Sequence, residues 1–473
     1  MRPILRCTKA ENFNMITRRR FLQSVAVAAI TPALTHSCDS GRSKLAPLRP
    51  DPAQLIDVPD GFSYTVVSRR GELMSDGLRV PGAHDGMAAF EARDGRVILV
   101  CNHELYAPET SDSPFLDGYA NLPESTKERL YDRGGDILPE LGGTTTTVYN
   151  PGTLETERQF LSLGGTEFNC AGGKTPWGSW LTCEECFEDP GVETTDSGTE
   201  FSRDQRHGYV FEVPSAATGL VKATPLKDMG RFSHEAAAVH SPTGIVYLTE
   251  DSWHSLFYRF IPNVAGRLEE GGRLQALAIV GEPSMKTHNW EADDLRVNKT
   301  LTTHWIDLQD VDGDVDDLRQ RGAAAGAAMF ARGEGLCVAG DQFVFTCTIG
   351  GPARLGQVFS YTPSPYEGSD NEQEAPGKLT LIAQADADSL LKNGDNLTMA
   401  PWGDLLVCED MDDGSGHCAI VGVRPSGQQY LVANNAYSDS ELAGVCFSPN
   451  GKILFVNIQY PGTTIAITGP WPG

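Results

Sequence analysis

Gly244-Ile245-Val246-Tyr247-Leu248-Thr249-Glu250 opens on a turn glycine, runs through five mostly β-branched or aromatic residues, and closes on a polar residue six places on. The same phrase begins again at Gly95, Gly178, Gly340, Gly403 and Gly451, spread over the whole chain. Three copies close on glutamate: Glu184, Glu250 and Glu409. Several are preceded by hairpin-turn chemistry, as in Thr175-Pro176-Trp177-Gly178, Ser241-Pro242-Thr243-Gly244, Ala400-Pro401-Trp402-Gly403 and Ser448-Pro449-Asn450-Gly451. A strand phrase recurring at irregular intervals suits blades of four strands with unequal loops, and radial repetition leaves an all-β chain only short, protected edges. The expected fold is therefore all-β, a six-bladed β-propeller with irregular inserted loops and short helices. A two-sheet sandwich is the alternative.

Composition agrees. The 473-residue chain carries 50 Gly and 29 Pro without a collagen period or low-complexity runs, as many short strands joined by turns require. Its net charge is −25, and Arg2, Arg6, Lys9, Arg18, Arg19 and Arg20 lie in a segment expected to be removed, so the mature chain is more acidic still. Such a surface repels nucleic acid and anionic lipid, because phosphate contacts are made mainly by Lys and Arg. No nucleic-acid partner is expected.

Thr17-Arg18-Arg19-Arg20-Phe21-Leu22-Gln23 followed by the apolar run Val25 to Leu34 reads as a twin-arginine export signal. The run is shorter than the ~20 apolar residues a membrane span needs, and no other transmembrane segment is expected. The expected organisation is a signal segment over 1–38, a linker or N-terminal arm over 39–60, and one catalytic propeller domain over 61–473. The destination is the periplasm or the exterior. A lipid anchor at Cys38 is the weaker alternative, because His36 is bulky where a lipid-attachment signal wants a small residue. The export machinery is thus an expected partner; it carries chains already folded, which suits a metal loaded beforehand. The eleven cysteines lie mostly in apolar strand-like text and read as small buried hydrophobes. Cys183-Glu184-Glu185-Cys186 has redox or zinc spacing but no second pair, and packing is the reading preferred for it.

Carboxylates at equivalent strand ends of a propeller meet at the mouth of the central channel. Buried there, they cost several kcal/mol each, about, unless paired or bound to cations. The candidates are Glu104, Glu184 and Glu185, Glu235, Glu250-Asp251, Glu334, Glu409-Asp410 and Glu441. Oxygen-rich sets suit calcium, and carboxylates mixed with thiolate suit iron or another transition metal. The Gly-rich stretch Gly164 to Gly178 holds one thiol, Cys170, and lacks both the Gly-Lys-Ser/Thr order and the following helix of a nucleotide phosphate loop. Thr144 to Thr147 read as a strand, His103 and His234 as core or supporting histidines, Asp310 to Asp317 as a solvated acidic loop rather than a calcium loop, and Gly322 to Phe330 as a short helix leading to Arg332.

Asn169-Cys170-Ala171-Gly172-Gly173, Thr182-Cys183-Glu184-Glu185, Gly230-Arg231-Phe232-Ser233-His234-Glu235, Arg332-Gly333-Glu334-Gly335 and the stretch Glu441 to Gly451 resemble the PhoX-type alkaline phosphatases. The resemblance runs from about Asp85 to the C-terminus. It implies a propeller phosphoesterase with two Fe3+ and two or three Ca2+ ions, acting on a small-molecule phosphate ester as a monomer. Through it, Cys170 is expected to bridge the irons and Glu235 and Glu334 to ligate them. Arg332 is expected to clamp the phosphoryl group, and Glu104 to lie at the metal centre. Glu184, Glu250, Glu409 and Glu441 are the expected calcium ligands. Catalysis would be metal-assisted, with Arg332 and Cys170 as the catalytic residues and no serine or threonine nucleophile. A propeller hydrolase of another ester class, such as a lactonase, and a non-catalytic ligand-binding propeller are the competing readings.

Overall fold

The computed structural model describes residues 45–115, 118–195, 198–291, 294–410 and 418–472. The export segment and Cys38 lie outside the described residues.

The six repeated phrases form strands Val97–His103, Ser179–Glu184, Val246–Glu250, Gln342–Cys347, Leu405–Glu409 and Ile453–Ile458. Four of them, beginning at Ser179, Val246, Leu405 and Ile453, are buried along their whole length. Each sits second in its sheet with sheets packed on both faces. That is why these strands read as continuous apolar runs rather than alternating ones.

On the inner side of each lies an antiparallel partner: β1 (His84–Glu91), β2 (Asn169–Lys174), β3 (His234–Val239), β4 (Gly333–Ala339), β5 (Gly394–Met399) and β6 (Leu442–Phe447). These inner strands neighbour one another in cyclic order, β1 to β6 and back to β1. The arrangement is a propeller-type ring and not a two-sheet sandwich. The ring is closed by the chain's two ends: Ser63–Arg69 pairs antiparallel with Thr463–Thr468 as the outer strand of the last sheet. Within 39–60, Leu48–Arg49 and Ile56–Pro59 extend the sheet of β5 through Gln429–Asn435.

The hydrogen-bonded sheets correct the expectation of six separate four-stranded blades, since among the described residues four sheets, not six, reach four strands or more. Thr300–Asp307 pairs through Thr303 to Asp307 with Gly272–Ile279 and through Thr300 to Thr302 with Lys378–Gln384. That one long strand merges the β3 and β4 sets into a nine-stranded sheet, while the β2 set stops at three strands. The helix before Arg332 is also displaced from its expected place. It spans Leu318–Ala324, and Ala327 and Phe330 instead bridge to Ala278 and Ser255.

The core lies between sheets. Tyr247, Phe257, Phe345, Phe359 and Tyr361 are buried together across the β3 and β4 sets, with Phe257 and Phe345 stacked 4.4 Å apart. Leu406, Ile420, Leu454 and Ile467 fill the space beside the closure. Among the described residues no helix is long and apolar enough to cross a membrane.

Inner strands approach closely near the axis. A Cβ on Gly173 of β2 would lie 1.9 Å from the Ala237 carbonyl oxygen of β3. Gly173→Ala must push two backbones apart, and we expect it to destabilise the protein by about 3 kcal/mol, read as a lower urea midpoint.

Candidate metal centre

Every inner strand breaks register near its start. The breaks fall between His84 and Met87, Asn169 and Gly172, His234 and Ala237, Gly333 and Leu336, Gly394 and Leu397, and Ala443 and Cys446. Such bulges re-aim a side chain out of the strand's alternation. The first residue inside each break is Asp85, Cys170, Glu235, Glu334, Asp395 or Gly444. Five of the six can ligate a metal.

Side chains from the preceding strand set in the ring hold the bulged backbone. Asn102 Nδ2 donates to the carbonyls of Cys170 (2.9 Å) and Ala171 (2.7 Å). Thr249 Oγ1 donates to Glu334 O (2.6 Å) and Thr346 Oγ1 to Asp395 O (2.9 Å), while Asn457 Nδ2 donates to Asp85 O. Gly335 lets two bulges meet, because a Cβ there would lie 2.5 Å from Asp395 O.

A second set of acids follows the residue opposite four of the six breaks. His103, Glu184, Glu250 and Glu409 face His84, Asn169, His234 and Gly394 across the ladder. Their successors are Glu104, Glu185, Asp251 and Asp410. With the bulged residues and Glu441 they form three groups whose ligand atoms lie within 4.8 Å of one another: Glu104–Cys170–Glu185, Asp85–Glu104–Glu441 and Glu235–Glu334–Asp395. Asp251 and Asp410 interact electrostatically with members of these groups.

The electrostatics are one-sided. Burial, then the neighbouring Asp395, pushes the Asp85 carboxyl up to about 8, and burial with Asp410 pushes Asp395 up to about 7. Glu185, Glu235, Glu334 and Glu441 are driven well above the ordinary carboxylate range by burial first, and next by a neighbouring acid: Asp251 for Glu185 and Glu334, Glu334 for Glu235, and Asp410 for Glu441. The Cys170 thiol is pushed up by burial and by Asp85 and Glu235. Arg332 is the cation recorded against the cluster. Its Nε and Nη2 donate to the two oxygens of Asp251 at 2.8 and 2.7 Å, and Nη2 lies 3.0 Å from Glu334 Oε1. Its Nη1 makes no hydrogen bond among the described residues, and the side chain is 24% exposed. Gln459 Nε2 adds neutral bonds to Asp85 (2.8 Å) and Glu104 (2.6 Å). Both oxygens of Glu235 and Oδ1 of Asp85 are buried with no hydrogen-bond partner among the described residues. Buried carboxylate oxygens left this way fit a cation as the missing partner. The donor set, carboxylate oxygens plus one thiol, fits hard ions at the oxygen-only groups and a softer metal beside Cys170.

The structure thus brings together Cys170, Glu235, Glu334, Glu104, Glu441 and Arg332. It holds Glu184, Glu250 and Glu409 apart from the three groups. Glu184 accepts from the backbone N–H groups of Glu167, Gly208 and Tyr209 and bonds His207 at 2.7 Å. Glu250 accepts from Leu256 N–H and Tyr258 Oη, and Glu409 from the N–H groups of Lys392 and Ala419. The acid one place later in each pair is the one that joins the cluster, because consecutive residues of an extended chain point to opposite sides. The pairs Glu184-Glu185, Glu250-Asp251 and Glu409-Asp410 were visible in the sequence. Asp85 and Asp395 were not among the sequence candidates, and their shared signal is an acid set in otherwise unremarkable loop-like text, His84-Asp85-Gly86 and Gly394-Asp395-Asn396.

His103 bonds Gly82 O (2.8 Å) and Thr145 Oγ1 (2.9 Å), and His234 bonds Gly230 O (3.0 Å) while stacking on Phe232. The nine described cysteines are free thiols. The acidic loop after Gln309 is engaged locally, with Asp312 accepting from Tyr209 Oη and Asp314, Asp316 and Asp317 paired to Arg206, Arg319 and Arg321.

The sequence matches the family of alkaline phosphatase PhoX over residues 43–462. The chain belongs to this family. It is by that membership a phosphoric ester hydrolase. Among solved structures it is similar to Pseudomonas fluorescens PhoX in complex with vanadate, a transition state analogue, with 19% identity, 90% of this chain and 97% of that chain covered, and a TM-score of 0.65. That likeness supports the propeller-type fold. A gluconolactonase from Xanthomonas campestris aligns at 12% identity over 91% of this chain and all of its own, with a TM-score of 0.39. No curated protein sequence matches the chain.

The raised carboxyls of this PhoX-family site set a pH dependence. Between about 4 and about 8 the folded, metal-free protein keeps the Asp85 proton that the unfolded chain releases, so stability falls as pH rises through that window. Chelator-stripped protein is therefore expected to melt at a lower temperature at pH 8 than at pH 5. Adding back cations at pH 8 should raise the midpoint.

Proposed function

We propose that the chain hydrolyses phosphate esters at the bulged ends of the inner strands, with iron and calcium held there. The observation that carries this is the group of five metal-capable residues, Asp85, Cys170, Glu235, Glu334 and Asp395, at equivalent bulges, with Glu235 left without any hydrogen-bond donor. Cys170 with Glu104 and Glu185 suits iron, and Glu235 and Glu334 are the further carboxylates that the family resemblance assigns to it. The oxygen-only group Asp85–Glu104–Glu441 suits calcium. When bound, the ions supply positive charge to the phosphoryl oxygens and to the leaving oxygen.

The protein's own residues bind and orient. Asp251 fixes the Arg332 fork through two nitrogens, leaving Nη1 as the donor for a phosphoryl oxygen. A two-point grip on the phosphate by the same fork would require Asp251 to release it. The buried wall of carboxylates places substrate only where cations offset it, which restricts the site to the metal-loaded protein. Thr144 to Thr147 are ladder residues of Gly142–Asn150 and are assigned no chemistry. The export signal over 1–38 supports a periplasmic or secreted location, with metals acquired on folding before export.

Elemental analysis of purified folded protein should find iron and calcium, and it should hydrolyse an aryl phosphate at alkaline pH. Cys170→Ala is expected to abolish both iron content and turnover; iron-free protein with full activity would sink the reading. Arg332→Ala should lower kcat/KM by roughly 10²–10³-fold, the cost of one lost oxyanion donor. Arg332→Lys should not restore it, because an ammonium cannot bind Asp251 and phosphate in one plane.

A further inference from the structure

Between Glu155–Thr166 and β2 the chain turns at Glu167-Phe168, and Phe168 sits there at φ +46, a left-handed conformation strained for a residue with a side chain. Such strain persists only where the surroundings over-determine the backbone. Here Phe168 N–H donates to Leu105 O at 2.9 Å, and Phe168 O accepts from Glu185 N–H at 2.8 Å. The Phe168 ring stacks on Tyr106 with centroids 5.0 Å apart, and Glu167 N–H donates to Glu184 at 3.0 Å. Leu105 follows Glu104, Glu185 is bonded directly, and Cys170 comes two residues after Phe168. One strained turn thus ties together the backbone at all three members of the thiol-bearing group.

The turn is gripped through its side chain by a buried cation. Arg203, its side chain 4% exposed, donates through Nε and Nη2 to the two oxygens of Glu167 at 2.6 and 2.5 Å. Its Nη1 donates to Glu193 at 2.7 Å. Among the described residues its ion-pair partners, Glu140, Glu167, Glu188 and Glu193, all lie outside the three metal-capable groups. Arg203 ends Glu200–Arg203, which pairs as a hairpin with Gly191–Thr194. The chain therefore leaves the cluster at Glu185, forms this hairpin, and returns to hold the turn that leads into Cys170. A guanidinium fork on two oxygens fixes the plane of the Glu167 carboxylate as well as its distance.

We propose that Arg203 is a positioning residue for the thiol-bearing group, locking the Glu167-Phe168 turn that sets Glu104, Cys170 and Glu185 within reach of one ion. This rests on the reading of that group as a metal site. Without the fork, Phe168 relaxes out of the left-handed region and both of its backbone bonds go with it, so Leu105 and Glu185 shift relative to Cys170.

The test uses cobalt(II), whose bond to a thiolate absorbs by charge transfer and so reports on Cys170 apart from turnover. Chelator-stripped protein titrated with cobalt should gain the band, and Cys170→Ala should not. Arg203→Lys keeps the charge and loses the fork; it should bind cobalt roughly 10–100-fold more weakly, with a weakened band, as when a group that orients a metal ligand is disturbed. Arg259→Lys is the control, because Arg259 is as deeply buried, on Glu367 and Glu372. It should lower the thermal midpoint and leave the cobalt affinity and band unchanged. Where Arg203→Lys does not fold, Tyr106→Leu decides alone: it removes the Phe168 stack without stranding a buried charge, and should also weaken cobalt binding. Wild-type affinity and band in the deciding variant, or an equal loss in Arg259→Lys, would overturn the positioning role. A band that survives Cys170→Ala would instead overturn the metal reading beneath it.

Discussion

Like charge held out of water governs this molecule. Asp85, Glu235, Glu334, Asp395 and Glu441 are buried, with Glu185 half-buried beside them, and their proton affinities rise in consequence. Without cations the cluster must keep protons or push apart, because one arginine cannot neutralise so many acids. Sequence and backbone both bend toward tolerating this crowd. The propeller-type ring is the frame that concentrates it, since each of the six inner strands brings its start to a common axis.

Delivery depends on irregularity. A regular strand would place alternate side chains against the neighbouring sheets, where an acid has no partner. The bulge turns one residue per inner strand toward the axis, and in four of them its carbonyl is satisfied by Asn102, Thr249, Thr346 or Asn457 from the strand set before. Four of the bulges are thus fixed by the strand set before them, and the cluster is supported by amide and hydroxyl groups that bear no charge. The sixth bulge holds Gly444 at φ +61, where Glu441 and Gln459 reach in instead.

How much of this the sequence disclosed follows from the same physics. The second strands were legible because sheets on both faces force continuous apolar text, as in Leu405-Leu406-Val407-Cys408. Cys170, Glu235 and Glu334 stood out by family resemblance, and Glu104 and Glu441 as acids at strand ends. Parity was not legible: Glu184 and Glu185 look alike on the page, and only the ladder shows that the first caps backbone amides while the second turns to the axis. Asp85 and Asp395 escaped because a bulge interrupts the alternation by which a strand is recognised. Sheet boundaries escaped as well, since the bridging role of Thr300–Asp307 lies in where its two halves find partners, which local residue pattern does not encode.

The pairing of Ser63–Arg69 with Thr463–Thr468 has a consequence for the order of events in the cell. The clustered acids span Asp85 to Glu441, and the outer strand Ser63–Arg69 has nothing to pair with in its sheet until Thr463–Thr468 has been synthesised. Contacts of such sequence separation form slowly. A growing chain therefore carries its acids unassembled, free to hold ions only loosely and one carboxylate at a time. The ring of inner strands comes full circle only where β6 meets β1, so the residues from Asp85 to Glu441 can be gathered about one axis only after both strands have been made.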